Sequence, residues 1–226
     1  MKYINKAKDP FVLLNYVQKQ NKAQLHPSYS SLRSDYGGRT IKHIEGNLYK
    51  EQNGSCCYCN KFLDNDYHIE HFLPQSKFKD DEVRYDNIFL SCNSPFTCGK
   101  KKGNLLVSKY ITYKNCIELF KYGTNGELLP NCSYKSIKQC LDNWTTLNIL
   151  HKDILMYIET LNLNHPSLIN KRKDIYRDEY ISEVARLNND PLLIKERIVE
   201  LEEEKTSDIY SSVLIFWLKE NLKKIN

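Results

Sequence analysis

Apolar residues recur at helical spacing in both outer parts of the chain, and this pattern predicts helices there. Near the N-terminus, Phe11, Leu14 and Val17 form the expected apolar face of one amphipathic helix. Near the C-terminus, two further helices are expected at about 167–188 and 191–223, each beginning after a proline. The chain is therefore expected to be mainly α-helical.

Residues 55–108 differ from the rest, with paired cysteines, many turn-forming residues and two short β-prone runs. Tyr67-His68-Ile69 and Ile88-Phe89-Leu90 predict two strands, and the basic segment from Gly99 onward predicts a short helix. We therefore expect a small α/β module inserted into a helical body, within a single compact unit. Its three parts are an N-terminal helical segment (1–54), the module (55–108) and a C-terminal helical region (109–226).

Composition and charge narrow the class of protein only a little. The 226 residues include 33 basic and 28 acidic side chains, a net charge of +5, which permits nucleic-acid binding without requiring it. The longest apolar run near the C-terminus, residues 213–218, is too short to cross a bilayer, and the first residues lack the apolar core of a signal peptide. We therefore expect no membrane association and a cytoplasmic location.

The cysteines are more informative, because five of the eight lie between positions 56 and 98. Cys56-x2-Cys59 and Cys92-x5-Cys98 are two close pairs of thiols, and such pairs suit the tetrahedral coordination of Zn²⁺. Cys57 is an alternative to Cys56, although the two-residue spacing favours Cys56. Buried free cysteines are the competing interpretation. Four thiolates would fix the fold of the module and leave no open position for chemistry.

Two histidines and a carboxylate lie between the cysteine pairs, just before Pro74. On a strand, His68 and Glu70 point to one face and His71 to the other, but at the strand end Glu70 and His71 could converge on one substrate. A carboxylate suits Mg²⁺, and a neighbouring imidazole suits a general base that activates water. Together they could cleave a phosphodiester bond. An exposed loop with incidental histidines is the alternative.

Five motifs follow one another in this module: Glu70-His71, Pro74, Asp86-Asn87-Ile88, Ser91-Cys92, and Cys98 through Lys102-Gly103-Asn104. In that order and spacing they resemble the HNH endonucleases of the ββα-metal type that carry a zinc knuckle. More closely, residues 69–77 and 85–92 are similar to the PtuB-type family, the HNH nuclease subunit of Septu and retron-associated anti-phage systems. The similarity extends to Tyr122-x3-Gly126 and to residues 161–164 followed by Arg172.

The resemblance implies a role for each matching position. His71 would be the general base, Glu70 the ligand of a catalytic Mg²⁺ or Mn²⁺, and Asn87 the residue that ties the loop together and holds the base. The structural zinc would be bound by Cys56, Cys59, Cys92 and Cys98.

One position departs from the family pattern. The family usually has His or Asn immediately after the last cysteine, as the third motif residue and second metal ligand, whereas this chain has Gly99 and Lys100. Asn104 is the expected replacement, with Asn93 and His68 as alternatives.

The lysines beside the expected site have two interpretations. Lys100, Lys101 and Lys102 form a basic run, which is either a solvated face or a surface that binds the nucleic-acid backbone. Arg172 has the same two interpretations, and there the solvated face is favoured.

The sequence thus predicts a metal-dependent endonuclease that hydrolyses phosphodiester bonds, with DNA as the expected substrate and RNA, including tRNA, as the alternative. The resemblance implies an effector of prokaryotic anti-phage defence that acts with an SMC- or ABC-type (PtuA-like) ATPase subunit and, in retron-associated systems, with a reverse-transcriptase complex. The sequence has no G-x-x-x-x-G-K-[ST] loop, so ATP dependence would come from another chain. The competing prediction, motivated by Gly99-Lys100, is a non-catalytic zinc-knuckle module that binds nucleic acid or a protein.

Overall fold

A computed structural model describes residues 2–203 and 209–225 of the protein. The described residues are mainly helical, as predicted, with two short antiparallel two-stranded sheets, β1 (Tyr67–His71) with β2 (Ile88–Cys92) and β3 (Phe120–Tyr122) with β4 (Leu128–Pro130). A π-helical segment, Ile175–Tyr180, joins α8 to α9. The helices are α1 (Phe11–Lys22), α2 (Tyr29–Ser34), α3 (Arg39–Glu51), α4 (Cys98–Lys102), α5 (Cys116–Leu119), α6 (Ile137–Asp142), α7 (Ile149–Thr160), α8 (Pro166–Asp174), α9 (Ile181–Arg186), α10 (Pro191–Glu203) and α11 (Ile209–Ile225).

The first predicted helix is present as α1, but its predicted apolar face is wrong at Phe11 and Leu14; of the three predicted residues, only Val17 packs on the core. Leu13 and Tyr16 are buried, whereas Leu14 is exposed and Phe11 is 74% exposed. The hydroxyl of Tyr16 donates to the carbonyl of Ser28 at 2.8 Å, immediately before α2. This hydrogen bond holds α1 in a rotation that apolar spacing alone does not specify.

The two predicted strands of the module pair with each other, and a helix follows them. In the register, Tyr67 lies opposite Cys92 and His71 opposite Ile88, and every residue of β2 is buried. The side chain of Gln52, just after α3, accepts from the amide of Leu90 at 2.7 Å and donates to its carbonyl at 2.9 Å. This amide therefore satisfies both backbone groups of a buried strand residue, and α4 packs on the same strand. The local order is strand, strand, helix.

The main hydrophobic core runs through the module and the helices on both sides of it. It includes Leu48 of α3, Phe89 of β2, Tyr157 of α7 and Leu214 of α11. The module is therefore held by packing against helices that are distant in sequence.

A second two-stranded sheet lies within residues 109–226, the region for which the sequence predicted helices. In it, Tyr122 of β3 lies opposite Leu128 of β4, and the connecting turn contains Gly126. Gly126 has a φ of 86°, and a Cβ there would lie 2.2 Å from the carbonyl oxygen of Ile169. Both the backbone conformation and the close approach of α8 therefore require glycine.

Arg172 of α8 is buried against this turn, so the favoured interpretation as a solvated face is wrong. Its guanidinium donates to the carbonyls of Gly126 (2.6 Å) and Leu163 (2.8 Å) and to Oδ1 of Asn164 (2.9 Å). Burial lowers the pKa of Arg172 to about 10. The sequence motifs outside the module thus meet in one structural contact.

Two helices that pack on each other, α10 and α11, cover the described part of the predicted helix at 191–223; residues 204–208 of that prediction lie outside the described residues. An ion pair of 2.7 Å joins Lys219 of α11 to Glu202 of α10. The apolar run 213–218, whose residues are largely buried, belongs to the core. Within residues 2–203 and 209–225, no helix combines the length and the apolar character needed to cross a bilayer.

Candidate metal centre and adjoining cleft

Four thiols converge beside the first sheet. Cys56 and Cys59 come from the loop after α3, Cys92 ends β2, and Cys98 begins α4. All four are buried, and their Sγ atoms lie within 4.8 Å of one another, with 3.9 Å between Cys59 and Cys92. A tetrahedral zinc with Zn–S distances of about 2.3 Å holds its sulfurs about 3.8 Å apart. The four predicted cysteines therefore form a cluster that could bind a metal such as zinc.

Backbone contacts decide which cysteines belong to the cluster. The amide of Cys92 donates to the sulfur of Cys56 at 3.4 Å, whereas Cys57 is buried outside the cluster and uses its amide to bind the carbonyl of Leu90 at 3.0 Å. Cys56, and not the alternative Cys57, is therefore the ligand candidate.

The backbone at Cys98 is unusual. Cys98 has a φ of 59°, a left-handed conformation that is costly for a residue with a side chain, and its amide donates to the carbonyl of Leu161 at 2.9 Å.

Hydrogen bonds among the four thiols shift their pKa values in opposite directions. Burial by itself raises the pKa of the Cys56 thiol, but hydrogen bonds from the surrounding thiols lower it well below its ordinary value. Hydrogen bonding to Cys56 and to the other thiols raises the pKa of Cys98. A hydrogen bond with Cys56 raises the pKa of the Cys92 thiol, but hydrogen bonds with Cys59 and Cys98 outweigh it, so this pKa is lowered as well. A bound dication would stabilise the thiolate form of all four cysteines.

An open cleft of about 400 Å³ adjoins the C-terminal end of β1. Glu70 and His71 both line it, because His71 is the last residue of the strand and the chain turns away after it. The other lining residues belong to the strand, the following loop and α4: Ile69, Pro74, Gln75, Ser76, Lys79, Gly99, Gly103 and Asn104.

Glu70 is buried, and its two carboxylate oxygens have different surroundings. Oε1 accepts a hydrogen bond from the hydroxyl of Tyr58 at 3.1 Å and pairs with the ammonium of Lys102 at 2.8 Å. Oε2 lies 3.4 Å from Nε2 of His68. Burial alone raises the pKa of the Glu70 carboxyl, but His68 and Lys102 outweigh it and lower the pKa. Glu70 is therefore a carboxylate at neutral pH, with Oε2 facing α4.

His71 is held in the tautomer that a base requires. Its Nε2 lies 2.9 Å from the carbonyl oxygen of Glu82, which only accepts, so Nε2 carries the proton and donates it. Nδ1 then presents its lone pair; the side-chain nitrogen of Gln75 lies beside the ring, 3.2 Å from Nδ1 and 2.9 Å from Nε2. Burial lowers the pKa of His71, so the ring is neutral at pH 7.

Asn87 braces the loop that carries the Glu82 carbonyl. Its Oδ1 accepts from the amide of Leu73 at 2.7 Å, and its Nδ2 donates to the carbonyls of Asp81 (2.9 Å) and Leu73 (3.2 Å). The two ends of the loop are thereby tied to each other. Since Glu82 adjoins Asp81, the amide of Asn87 indirectly fixes the partner of the His71 ring.

Position 99, immediately after Cys98, has no room for a side chain, and glycine occupies it. A Cβ on Gly99 would lie 2.4 Å from Oε2 of Glu70 and 2.8 Å from Nε2 of His68. Any larger residue would displace the groups that now fill this space. Asn104, the expected replacement ligand, is exposed on the lining of the cleft, while Asn93 contacts Nδ1 of His68.

The structure separates the three lysines of the basic run. Lys100 and Lys101 are exposed, but Lys102 is only 1% exposed and donates to the carbonyl of His71 at 3.0 Å. The prediction of a nucleic-acid-binding surface is therefore corrected for Lys102. Its position four residues after the buried Cys98 places it on the inward face of α4, and this spacing was a usable signal. Tyr58 and Gln75 were missed, and their sequence context offers no comparable signal.

Comparison with known proteins adds no assignment. No protein-family model matches the chain, and a search of curated proteins also finds no match.

Proposed function

We propose that this protein is a metal-dependent nuclease that hydrolyses phosphodiester bonds in the cleft at the end of β1. The observation that carries the proposal is a neutral imidazole next to an ionised carboxylate, His71 beside Glu70, in one open cleft. The strand–strand–helix order around them and the adjacent four-cysteine cluster also agree with the HNH resemblance.

In this proposal the general base is His71. The carbonyl of Glu82 holds the Nε2 proton, so Nδ1 takes the proton from the attacking water. The water takes the place of the Gln75 amide, whose nitrogen now lies 3.2 Å from Nδ1 and 2.9 Å from Nε2. Asn87 is a positioning residue, because it acts on the base through the loop and the Glu82 carbonyl.

The residues present also fit two cations of different function. The four cysteines would hold a structural zinc, which fixes β2 and α4 relative to each other. Glu70 would hold Mg²⁺ or Mn²⁺ through Oε2, the oxygen that Lys102 and Tyr58 leave open, with Asn104 at the rim of the cleft. When bound, that cation would stabilise the charge on the scissile phosphate and on the leaving oxygen.

Exposed lysines near the cleft support a nucleic-acid substrate. Lys79 lines the cleft, and Lys100 and Lys101 project from α4. Contacts of this kind bind the phosphate backbone and do not read sequence. DNA is the proposed substrate and RNA the alternative. The role in anti-phage defence and the ATPase partner are proposed from the sequence resemblance alone.

One observation favours the competing function, a non-catalytic binding module. The ammonium of Lys102 already neutralises much of the charge of Glu70, at 2.8 Å from Oε1. A binding module would keep its salt-sensitive affinity for nucleic acid when Glu70 or His71 is replaced by alanine. It would show no cleavage, whichever metal is added.

The test is cleavage of plasmid DNA and of total RNA by the purified protein with Mg²⁺ or Mn²⁺, with EDTA as the metal control. We expect His71→Ala to slow cleavage by at least about 100-fold, because a general base contributes that much or more. His43→Ala, which removes an exposed histidine of α3, is the matched control and should cleave like the wild type. Equal rates for His71→Ala and the wild type would contradict the proposal.

A further inference from the structure

We infer that His68 is the second protein ligand of the divalent cation, so that β1 supplies both ligands of the site. The inference rests on the proposed function for its catalytic meaning. It names a second ligand next to Glu70 that is not itself among the residues lining the cleft. His68 and Glu70 are two residues apart on β1, so their side chains share the face toward α4. Nε2 of His68 and Oε2 of Glu70 are 3.4 Å apart.

This separation suits two adjacent ligands of one small dication. Ligands about 2.1 Å from Mg²⁺ or Mn²⁺ and at right angles to each other are about 3 Å apart. The carboxylate is already oriented, because Tyr58 and Lys102 both bind Oε1 and leave Oε2 directed at His68. Two protein ligands are enough for such a cation, which usually keeps several waters and accepts phosphate oxygens.

A chain of hydrogen bonds fixes the His68 ring in the tautomer that binds metal. Nδ2 of Asn93 donates to Oδ1 of Asp66 at 3.0 Å, so Oδ1 of Asn93 faces His68 as an acceptor. Nδ1 of His68, 2.8 Å from this oxygen, is therefore the protonated nitrogen. Nε2 is left as the donor atom for a metal. A hydrogen bond from the other ring nitrogen to an oxygen is what metal-binding histidines almost always have.

A proton on Nε2 would donate to Oε2 and lower the pKa of the Glu70 carboxyl. When that proton is absent, the lone pair of Nε2 faces a carboxylate lone pair. Two such atoms repel each other unless a positive charge, a proton or a cation, lies near both. The nearby Lys102 ammonium does not supply it, since it binds the other oxygen of Glu70 and the carbonyl of His71.

Gly99 leaves the space on α4 that the side chains of His68 and Glu70 occupy. The volume that a side chain at position 99 would need is filled by Oε2 of Glu70 and Nε2 of His68. A helix residue and His68 therefore cannot both occupy this place, and in this chain the imidazole of the strand does.

The experiment is a Mn²⁺ titration of the zinc-loaded full-length chain, followed by electron paramagnetic resonance. We expect the wild type to bind one Mn²⁺ with a nitrogen coupling from imidazole in the electron spin echo. His68→Ala should weaken binding by about 100-fold or more and remove the nitrogen coupling, and Asn93→Ala, which keeps the ligand but frees its ring, should weaken binding by about 10-fold. His43→Ala should bind like the wild type.

Unchanged Mn²⁺ affinity and an unchanged nitrogen coupling in His68→Ala would overturn the inference, as would a wild-type chain that binds no Mn²⁺. Zinc content and circular dichroism show whether each variant is folded. If His68→Ala does not fold, the Mn²⁺ affinity of Asn93→Ala decides the test. Cleavage is measured on the same samples. Cleavage that needs His71 but not His68 would overturn the inference and support the proposed nuclease function. Mn²⁺ binding that depends on His68, without cleavage of any nucleic acid, would support the inference and contradict the nuclease function.

Discussion

The four-cysteine cluster and the cleft lie on the same strand–strand–helix unit, yet they are opposite kinds of site. The cluster takes four similar ligands from three segments, all buried, and leaves no place for a substrate. The cleft offers a carboxylate and a base beside about 400 Å³ of open space. A metal whose ligands are all supplied by the protein stabilises the fold, whereas a metal with open coordination positions can bind a substrate.

The two sites are joined at α4. Cys98 belongs to the cluster, and the next residue, Gly99, borders the cleft. The amide of Gly99 donates to the hydroxyl of Ser91 at 3.2 Å, and that hydroxyl lies 3.7 Å from the sulfur of Cys56. Damage to the cluster should therefore reach the cleft, whereas changes in the cleft should leave the cluster intact. The predictions below test this asymmetry.

The largest effect is expected from Cys92→Ala. Zinc binding contributes on the order of 10 kcal/mol to the folding of small zinc modules, which is comparable with the whole stability of a domain, about 5–15 kcal/mol. We expect loss of zinc and of cooperative thermal unfolding, measured by atomic absorption and circular dichroism. Cys57→Ala, a buried neighbour outside the cluster, should retain one zinc per chain. Equal zinc content in the two variants would contradict the assignment of the cluster.

Gly99→Ala should damage the cleft and spare the cluster. Its Cβ would lie 2.4 Å from Oε2 of Glu70, a movable side-chain atom, so the carboxylate shifts while the fold remains. We expect Mn²⁺ affinity to fall by about 10–100-fold, the range for disturbed metal surroundings, with unchanged zinc content. In Gly46→Ala, a Cβ on α3 meets nothing within 4 Å, so this variant should keep its Mn²⁺ affinity. Wild-type affinity in Gly99→Ala would refute the crowding argument.

The pH dependence of cleavage should report the neutral form of His71. Because burial lowers its pKa from 6.5, the base is deprotonated across neutral pH, and the rate should change little between pH 7 and 8. Below the lowered pKa the rate should fall about tenfold per pH unit, as the ring is protonated. A rate that still rises tenfold per unit above pH 7 would point to a different base.

The smallest effect is expected from Lys100→Ala combined with Lys101→Ala. Loss of two phosphate contacts should weaken DNA binding roughly fivefold at low salt and reduce the salt dependence of log K by about 1.8. Fluorescence anisotropy at several salt concentrations measures both quantities. The control replaces Lys223 and Lys224, exposed residues at the end of α11, by alanine. It removes the same number of positive charges at a position distant in sequence from α4. Equal losses in both double variants would mean that only net charge matters.

The sequence predicted the parts of the module that depend on local pattern. Short β-prone runs marked both strands, and the spacing of Cys56, Cys59, Cys92 and Cys98 marked the cluster. These signals are local, because each reflects the periodicity of one element or the reach of one loop.

Features that depend on tertiary contacts were not predicted. The rotation of α1 depends on the bond from Tyr16 to Ser28, and the burial of Arg172 depends on the turn at Gly126. In the cleft, the role of Gly99 appears only when a strand places two side chains against it. Periodicity within one element carries no information on such partners.

The most direct test of the account is selective removal of the open-site metal. Protein dialysed against EDTA, then checked by atomic absorption, should retain one zinc per chain and cleave neither DNA nor RNA. Added Mn²⁺ should restore cleavage at once and without refolding, in the wild type but not in His71→Ala. Full cleavage by the zinc-only protein would contradict the division between a closed structural site and an open catalytic one.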